Sequence, residues 1–219
     1  MKGRRSFLIL TLVVTCIASV FCACKNQRDS SDNGGEKPAV YADGDYVLLD
    51  FENPSDLFKT RIYTEQILDI YGKIEIYGDD ANASEKHVIN GKSSLKLSIE
   101  DLVADIYSPS LLFFFGQSNY PDLPVERFAS TSLSIASSAT KNIKVKMSIT
   151  STKKALFTKE YTLKRGRTNE LKLDIDSTVT ALRADEIYAV CLEFPQCEKY
   201  DYYIDDWTVT LAKTEDTEE

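Results

Sequence analysis

Ile143-Lys144-Val145-Lys146-Met147-Ser148-Ile149 puts an apolar side chain at every second position. In an extended backbone successive side chains point to opposite sides, so this order makes a strand with one dry face and one wet face. The same period of two recurs at Val47, Leu49 and Phe51, at Leu95, Leu97 and Ile99, and at Leu171, Leu173 and Ile175. Strands of this one-sided kind belong to antiparallel sheets. Leu111 to Phe115 is apolar throughout, as is Ile187 to Phe194 apart from Glu193, and both read as central strands covered on each face.

Turn chemistry separates the runs: Gly78-Asp79-Asp80, Asn90-Gly91, Gly116-Gln117-Ser118-Asn119 and Arg165-Gly166-Arg167. Asn90-Gly91 is the strongest hairpin signal, because both residues tolerate positive φ. Ser55 to Tyr71, with Leu57, Ile62, Leu68 and Ile70 at patchy helical spacing, predicts a turn or two of helix and no more. Roughly nine to ten short strands then indicate an all-β fold, an antiparallel sandwich or barrel. No repeat or second linker divides residues 46–212, so they read as one domain.

Ahead of the domain the chain changes character. Lys2, Arg4 and Arg5 form a basic cap, Phe7 to Phe21 is an apolar run of 15 residues, and Ala23 precedes Cys24. This three-zone order is that of an export signal over residues 1–23. The small residue before a cysteine resembles the lipobox of bacterial lipoproteins, although Phe21 stands where Leu is usual. The resemblance implies a diacylglycerol on Cys24 and cleavage just before it. A retained helix or plain cleavage are the other readings, and all three export the rest. Residues 24–45 then hold the anchor and a tether rich in Asp, Ser, Asn and Gly, too polar to order itself, and 213–219 is an acidic tail.

Without residues 1–23 the chain has 23 Lys and Arg against 34 Asp and Glu, a formal charge of −11. That balance excludes nucleic acid as the expected partner and a membrane held by basic residues. The expected membrane contact is the Cys24 lipid alone, with the domain exported. Cys191 and Cys197, five residues apart, either close a small disulfide loop or remain free thiols.

Three segments together carry a family resemblance: Leu48-Leu49-Asp50-Phe51-Glu52-Asn53, Val88 to Leu97 around Asn90-Gly91, and Tyr202-Tyr203-Ile204-Asp205-Asp206-Trp207-Thr208-Val209. Their order resembles the jelly-roll, galactose-binding-like sandwiches that include many bacterial carbohydrate-binding modules. The resemblance implies a jelly-roll β-sandwich, polysaccharide as partner, and a structural calcium between an acid of the first strand and an Asp of the last. Glu52 and Asp205 occupy those two places.

The last strand poses its own question. Tyr203, Asp205, Trp207, Val209 and Leu211 share one parity, which sets the Asp205 carboxylate against an apolar face. A buried carboxylate needs a cation or several hydrogen-bond donors, and calcium takes oxygen ligands such as Glu52 and Asp205 could supply. Alternatively a β-bulge at Asp205-Asp206 turns both carboxylates outward while Ile204 and Trp207 point in.

Aromatic rings that stack on sugars are sought outside the expected core, among Tyr71, Tyr77, Phe114, Tyr120, Tyr188, Tyr200 and Tyr202. Tyr120 with Gln117 and Asn119, an exposed ring beside two amides, is the preferred ligand site. Catalysis is not expected. His87 is the sole histidine, so a histidine-based triad or zinc site would have to centre on it. The carboxylate pairs Asp174/Asp176 and Asp205/Asp206 are the only remaining route, that of glycoside hydrolysis. The expected function is glycan binding, with a protein-binding surface lipoprotein as the alternative.

Overall fold

A computed structural model describes residues 41–63, 70–78, 87–102, 108–115, 120, 123–151, 154–195 and 198–212. The signal, Cys24, the tether up to residue 40, the tail, Cys197, Gln117 and Asn119 lie outside the described residues.

Eleven antiparallel strands form two sheets: β1 Gly44–Leu49, β2 Thr60–Tyr63, β3 Ile70–Tyr77, β4 Ser94–Leu102, β5 Ser110–Phe115, β6 Phe128–Ser137, β7 Ile143–Ser151, β8 Ala155–Leu163, β9 Asn169–Asp174, β10 Tyr188–Glu193 and β11 Asp201–Leu211. The first sheet runs β3-β4-β11-β6-β9, with β1 also on β11, and the second runs β2-β5-β10-β7-β8. Apart from β3-β4 and β7-β8, neighbours in each sheet are not consecutive in the chain, as expected of a sandwich whose chain crosses repeatedly between layers.

The predicted alternation holds where it is longest. Leu95, Leu97, Ile99, Ile143, Val145, Met147, Ile149, Leu171, Leu173 and Ile175 all face the core. Trp207 lies at its centre, 5.5 Å from the Phe113 ring and 6.0 Å from that of Phe115, and its indole N–H donates to Thr131 Oγ1 at 2.8 Å. Each such large side chain contributes roughly 1.5–3 kcal/mol by leaving water.

Three expectations are corrected. Val47 is 57 % exposed, because the β1–β11 register shifts between Val47 and Leu49 and exchanges the two faces there. Leu111 to Phe115 is not covered on both sides: Leu111, Phe113 and Phe115 are buried, whereas Leu112 and Phe114 are half-buried on the outward face. The expected turn or two of helix is there, a 3-10 helix over Pro54–Lys59 capped by the Asn53 side chain, with Ile62 and Ile70 in strands. Asn90-Gly91 does not close a hairpin, since Val88 and Ile89 belong to no strand, although Gly91 has the positive φ (60°) that the dipeptide promised.

Candidate functional site

The three segments that carried the resemblance meet in space. One edge of β11 is shared by two strands: β4 pairs with Asp201–Ile204 and β1 with residues 207–211. Between them the ladder has a gap, and β11 bulges there. Four residues, Asp205 to Thr208, oppose three on β6, Ser134 to Ser132, and Asp206 takes a left-handed φ of 51°.

The bulge changes parity. Tyr202 and Ile204 point into the core before it, and Trp207, Val209 and Leu211 after it. Asp205 therefore does not share a face with Trp207, which corrects the parity argument, yet it is only 1 % exposed. The segment 88–94 covers it.

That segment closes the gap with donors. Asp205 Oδ2 accepts from Asn90 N at 3.1 Å and Ser94 Oγ at 2.9 Å, and Oδ1 accepts from Asp206 N at 2.9 Å. Glu52 Oε1 accepts from Lys92 N (2.7 Å) and Ser93 N (3.1 Å), while Ser93 Oγ donates to the Phe51 carbonyl at 2.8 Å. Asn90 Nδ2 reaches the Asp206 carboxylate at 3.2 Å. Burial pushes the Asp205 carboxyl up to about 6, against the pull of its donors.

Calcium would need lone pairs converging from several oxygens. Here N–H and O–H groups, positive ends of dipoles, take up both Asp205 oxygens and one of Glu52. Among the described residues no three His, Cys, Asp or Glu are grouped to hold a metal. The donor set does not fit calcium, and the cluster is a hydrogen-bonded strut.

The aromatic candidates divide. Tyr188 and Tyr202 are core residues at 2 % and 0 % exposure, overturning their place among the outward rings. Tyr120 is half-buried rather than exposed. Its ring meets Trp207 edge-on at 6.3 Å, and its hydroxyl donates to the Leu48 carbonyl at 3.0 Å. Tyr77 stands on the outward face of the first sheet, edge-on to Tyr203 at 5.3 Å, with Lys96 Nζ 5.6 Å from its ring centre. His87 stacks flat on Tyr203 at 4.3 Å, so the one histidine is a packing group.

Phe114 belongs to the outward face of the second sheet. There Phe114, Ala189 and Thr150 lie abreast, then Leu112, Cys191 and Ser148, then Ser110, Glu193 and Lys146. Half-buried apolar side chains border a floor of small ones, and the Lys146–Glu193 ion pair (2.6 Å) follows. Cys191 carries a free thiol, pushed up in pKa by burial. Sequence reasoning missed this face because alternation marks which residues point inward but not what outward rows on neighbouring strands assemble.

For acid–base chemistry the pairs are poorly set. Asp205 is buried under the 88–94 segment, and Asp176 is exposed with Oδ1 engaged by Thr178 N at 2.9 Å and Oγ1 at 2.5 Å.

No protein-family model matches the sequence, and no curated protein matches it. Solved structures do. The CBM22-1 xylan-binding domain of Paenibacillus barcinonensis Xyn10C superposes with a TM-score of 0.51 at 11 % identity, over 80 % of this chain and 99 % of that one. A structure of carbohydrate-binding modules from the β-sandwich superfamily gives 0.51 at 15 % identity, over 76 % and 62 %. An arabinose-bound α-L-arabinofuranosidase, MgGH51, gives 0.53 at 11 % identity, with 80 % of this chain on 27 % of that one. The fold is the β-sandwich of carbohydrate-binding modules. At such identities the likeness concerns backbone alone.

Proposed function

We propose that this protein is a non-catalytic, glycan-binding lipoprotein, held at a membrane by a lipid on Cys24 and exposing its sandwich outside. The observation that carries the reading is the outward face of the second sheet. Leu112 and Phe114 offer apolar surface to the C–H faces of sugar rings, and Thr150 and the Lys146–Glu193 pair offer partners to hydroxyls. Aromatic and polar groups in one shallow row are what a sugar chain needs from a strand face. Sharing a fold with a xylan-binding domain supports it. Gln117 and Asn119, outside the described residues, follow β5 in the sequence.

Tyr120 supports the core from its edge in this reading. Calorimetry of the full chain against a panel of neutral and charged polysaccharides tests the proposal. Binding is expected to weaken about tenfold in Phe114→Ala, which equals about 1.4 kcal/mol. Tyr120→Ala lowers the melting temperature and leaves the affinity of the folded fraction unchanged. Silence across the panel from a folded protein overturns glycan binding and moves the reading to a protein partner.

A further inference from the structure

Charge is unevenly placed along this chain. Residues 141–172 contain ten Lys and Arg and two acids, whereas the rest has sixteen Lys and Arg against thirty-two acids. Folding concentrates much of the excess at one end of the sandwich. The loop 138–142 and the turn 164–168 pack together there, with Arg165 N donating to Asn142 Oδ1 at 3.1 Å and its guanidinium to the Thr140 carbonyl at 3.3 Å. Residues 198–201 join them: Lys141 pairs with Glu198 at 2.7 Å, and Ser138 N donates to the Asp201 carbonyl at 2.9 Å. Glu198 is held below its ordinary range by Lys141 and then Tyr200, so a half-buried ring stands beside the cations.

Lys164, Arg165 and Arg167 are exposed, and none forms an ion pair among the described residues. Their turn is fixed in shape. Asn169 accepts from Lys164 N at 2.9 Å and donates to the Arg167 carbonyl at 2.9 Å, and Gly166 supplies a φ of 64°. Like charges assembled this closely repel, in a chain whose net charge of −8 provides acids in plenty. At the other end the two terminal nitrogens of Arg127 are engaged by Tyr41, Asp43 and Ala212, where the described chain begins and ends. β11 separates the two ends by 11 residues, on the order of 33 Å. The basic end is thus remote from the point where the tether enters the domain.

We infer that this end binds an anionic polysaccharide, one bearing carboxylate or sulfate groups, through Lys164, Arg165 and Arg167 with Tyr200 alongside. The inference rests on the glycan-binding reading and names the class of glycan. Lys144 and Lys146, on the outward rows of β7, lie between the second-sheet face and this end, each already paired with an acid, Glu160 at 2.7 Å and Glu193 at 2.6 Å. A lipid surface is disfavoured by the exposed large apolar residues, Val47 and Val179, which lie on β1 and beyond β9 rather than here.

The test uses the full chain in detergent with polygalacturonate, dextran sulfate, mixed-linkage β-glucan and xylan, an oligothymidylate, and vesicles with roughly 30 % phosphatidylglycerol. Expected is binding to polygalacturonate or dextran sulfate that falls steeply from about 50 to about 300 mM salt. The triple variant Lys164→Gln, Arg165→Gln, Arg167→Gln should lose it at least tenfold with an unchanged melting temperature. Binding only to neutral glycans, or anionic binding that survives the triple variant, overturns this inference and leaves glycan binding standing. Silence toward every glycan overturns both. Tighter binding to the oligonucleotide or the vesicles, lost in the triple variant, replaces the anionic glycan with that polyanion.

Discussion

Asp205 concentrates the physical chemistry of single residues in this protein. It is 1 % exposed, accepts three hydrogen bonds, and still has its carboxyl pushed up to about 6, because burial outweighs the donors. Its protonated form is therefore bound more tightly by the folded than by the unfolded chain. The stability linked to it is fully present below the unfolded value of about 3.9 and is lost as pH rises through about 6. Melting wild type and Asp205→Asn side by side from pH 4 to pH 7 reads this directly. The wild type should exceed the variant by most near pH 4, and its margin should shrink toward neutrality. A margin that grows with pH would mean that the three donors outweigh burial. Tyr202 illustrates the opposite economy: buried against Phe194 at 4.2 Å between ring centres, its hydroxyl has no partner among the described residues.

At the scale of elements the decisive feature is the interrupted edge of β11. β4 and β1 occupy its two halves, and backbone N–H groups of the 88–94 segment, bound to the carboxylates of Glu52 and Asp205, bridge the break. Gly91 is the tightest point, since a Cβ there would lie 2.3 Å from Glu52 Oε1, at a φ of 60° that side chains resist. Gly91→Ala should cost about 1–3 kcal/mol in denaturant unfolding. Part of that should return in the Glu52→Ala background, where only the backbone strain remains; a double-mutant cycle measures the coupling. The donor-filled carboxylates make a second prediction at this scale. A chelator should leave the melting curve of the wild-type domain unchanged. Were calcium held by Glu52 and Asp205, chelation would remove about 2.7 kcal/mol at one hundred times the dissociation constant, and the midpoint would fall in wild type but not in Asp205→Ala.

For the whole molecule, the proposed anchor and the sandwich act together. A lipid on Cys24 and a polar tether would keep the domain at a surface while leaving it free to sample nearby glycan. Cys24→Ser cannot form the thioether, so the variant should leave the membrane fraction after export. Retention there would favour an uncleaved helix spanning Phe7 to Cys24.

Period-two alternation determined the fold class, the core rows of β4, β7 and β9, and the single sandwich, because burial of one strand face is a local consequence of residue order. The meeting of residues 48–53, 88–97 and 202–209 was implied by the family resemblance that their motifs carry. Other features depended on partners far away in sequence. The β11 bulge reverses parity at Asp205, and nothing within that strand reports that β1 and β4 divide its edge. Tyr120, Tyr188 and Tyr202 look alike as sequence, yet their exposure depends on which rings and carbonyls the other sheet brings against them. Net charge is a sum that hides position, so the cationic end appeared only once the loop 138–142, the turn 164–168 and residues 198–200 were placed side by side. Sequence order decides which way a side chain points; only tertiary structure decides what it meets there.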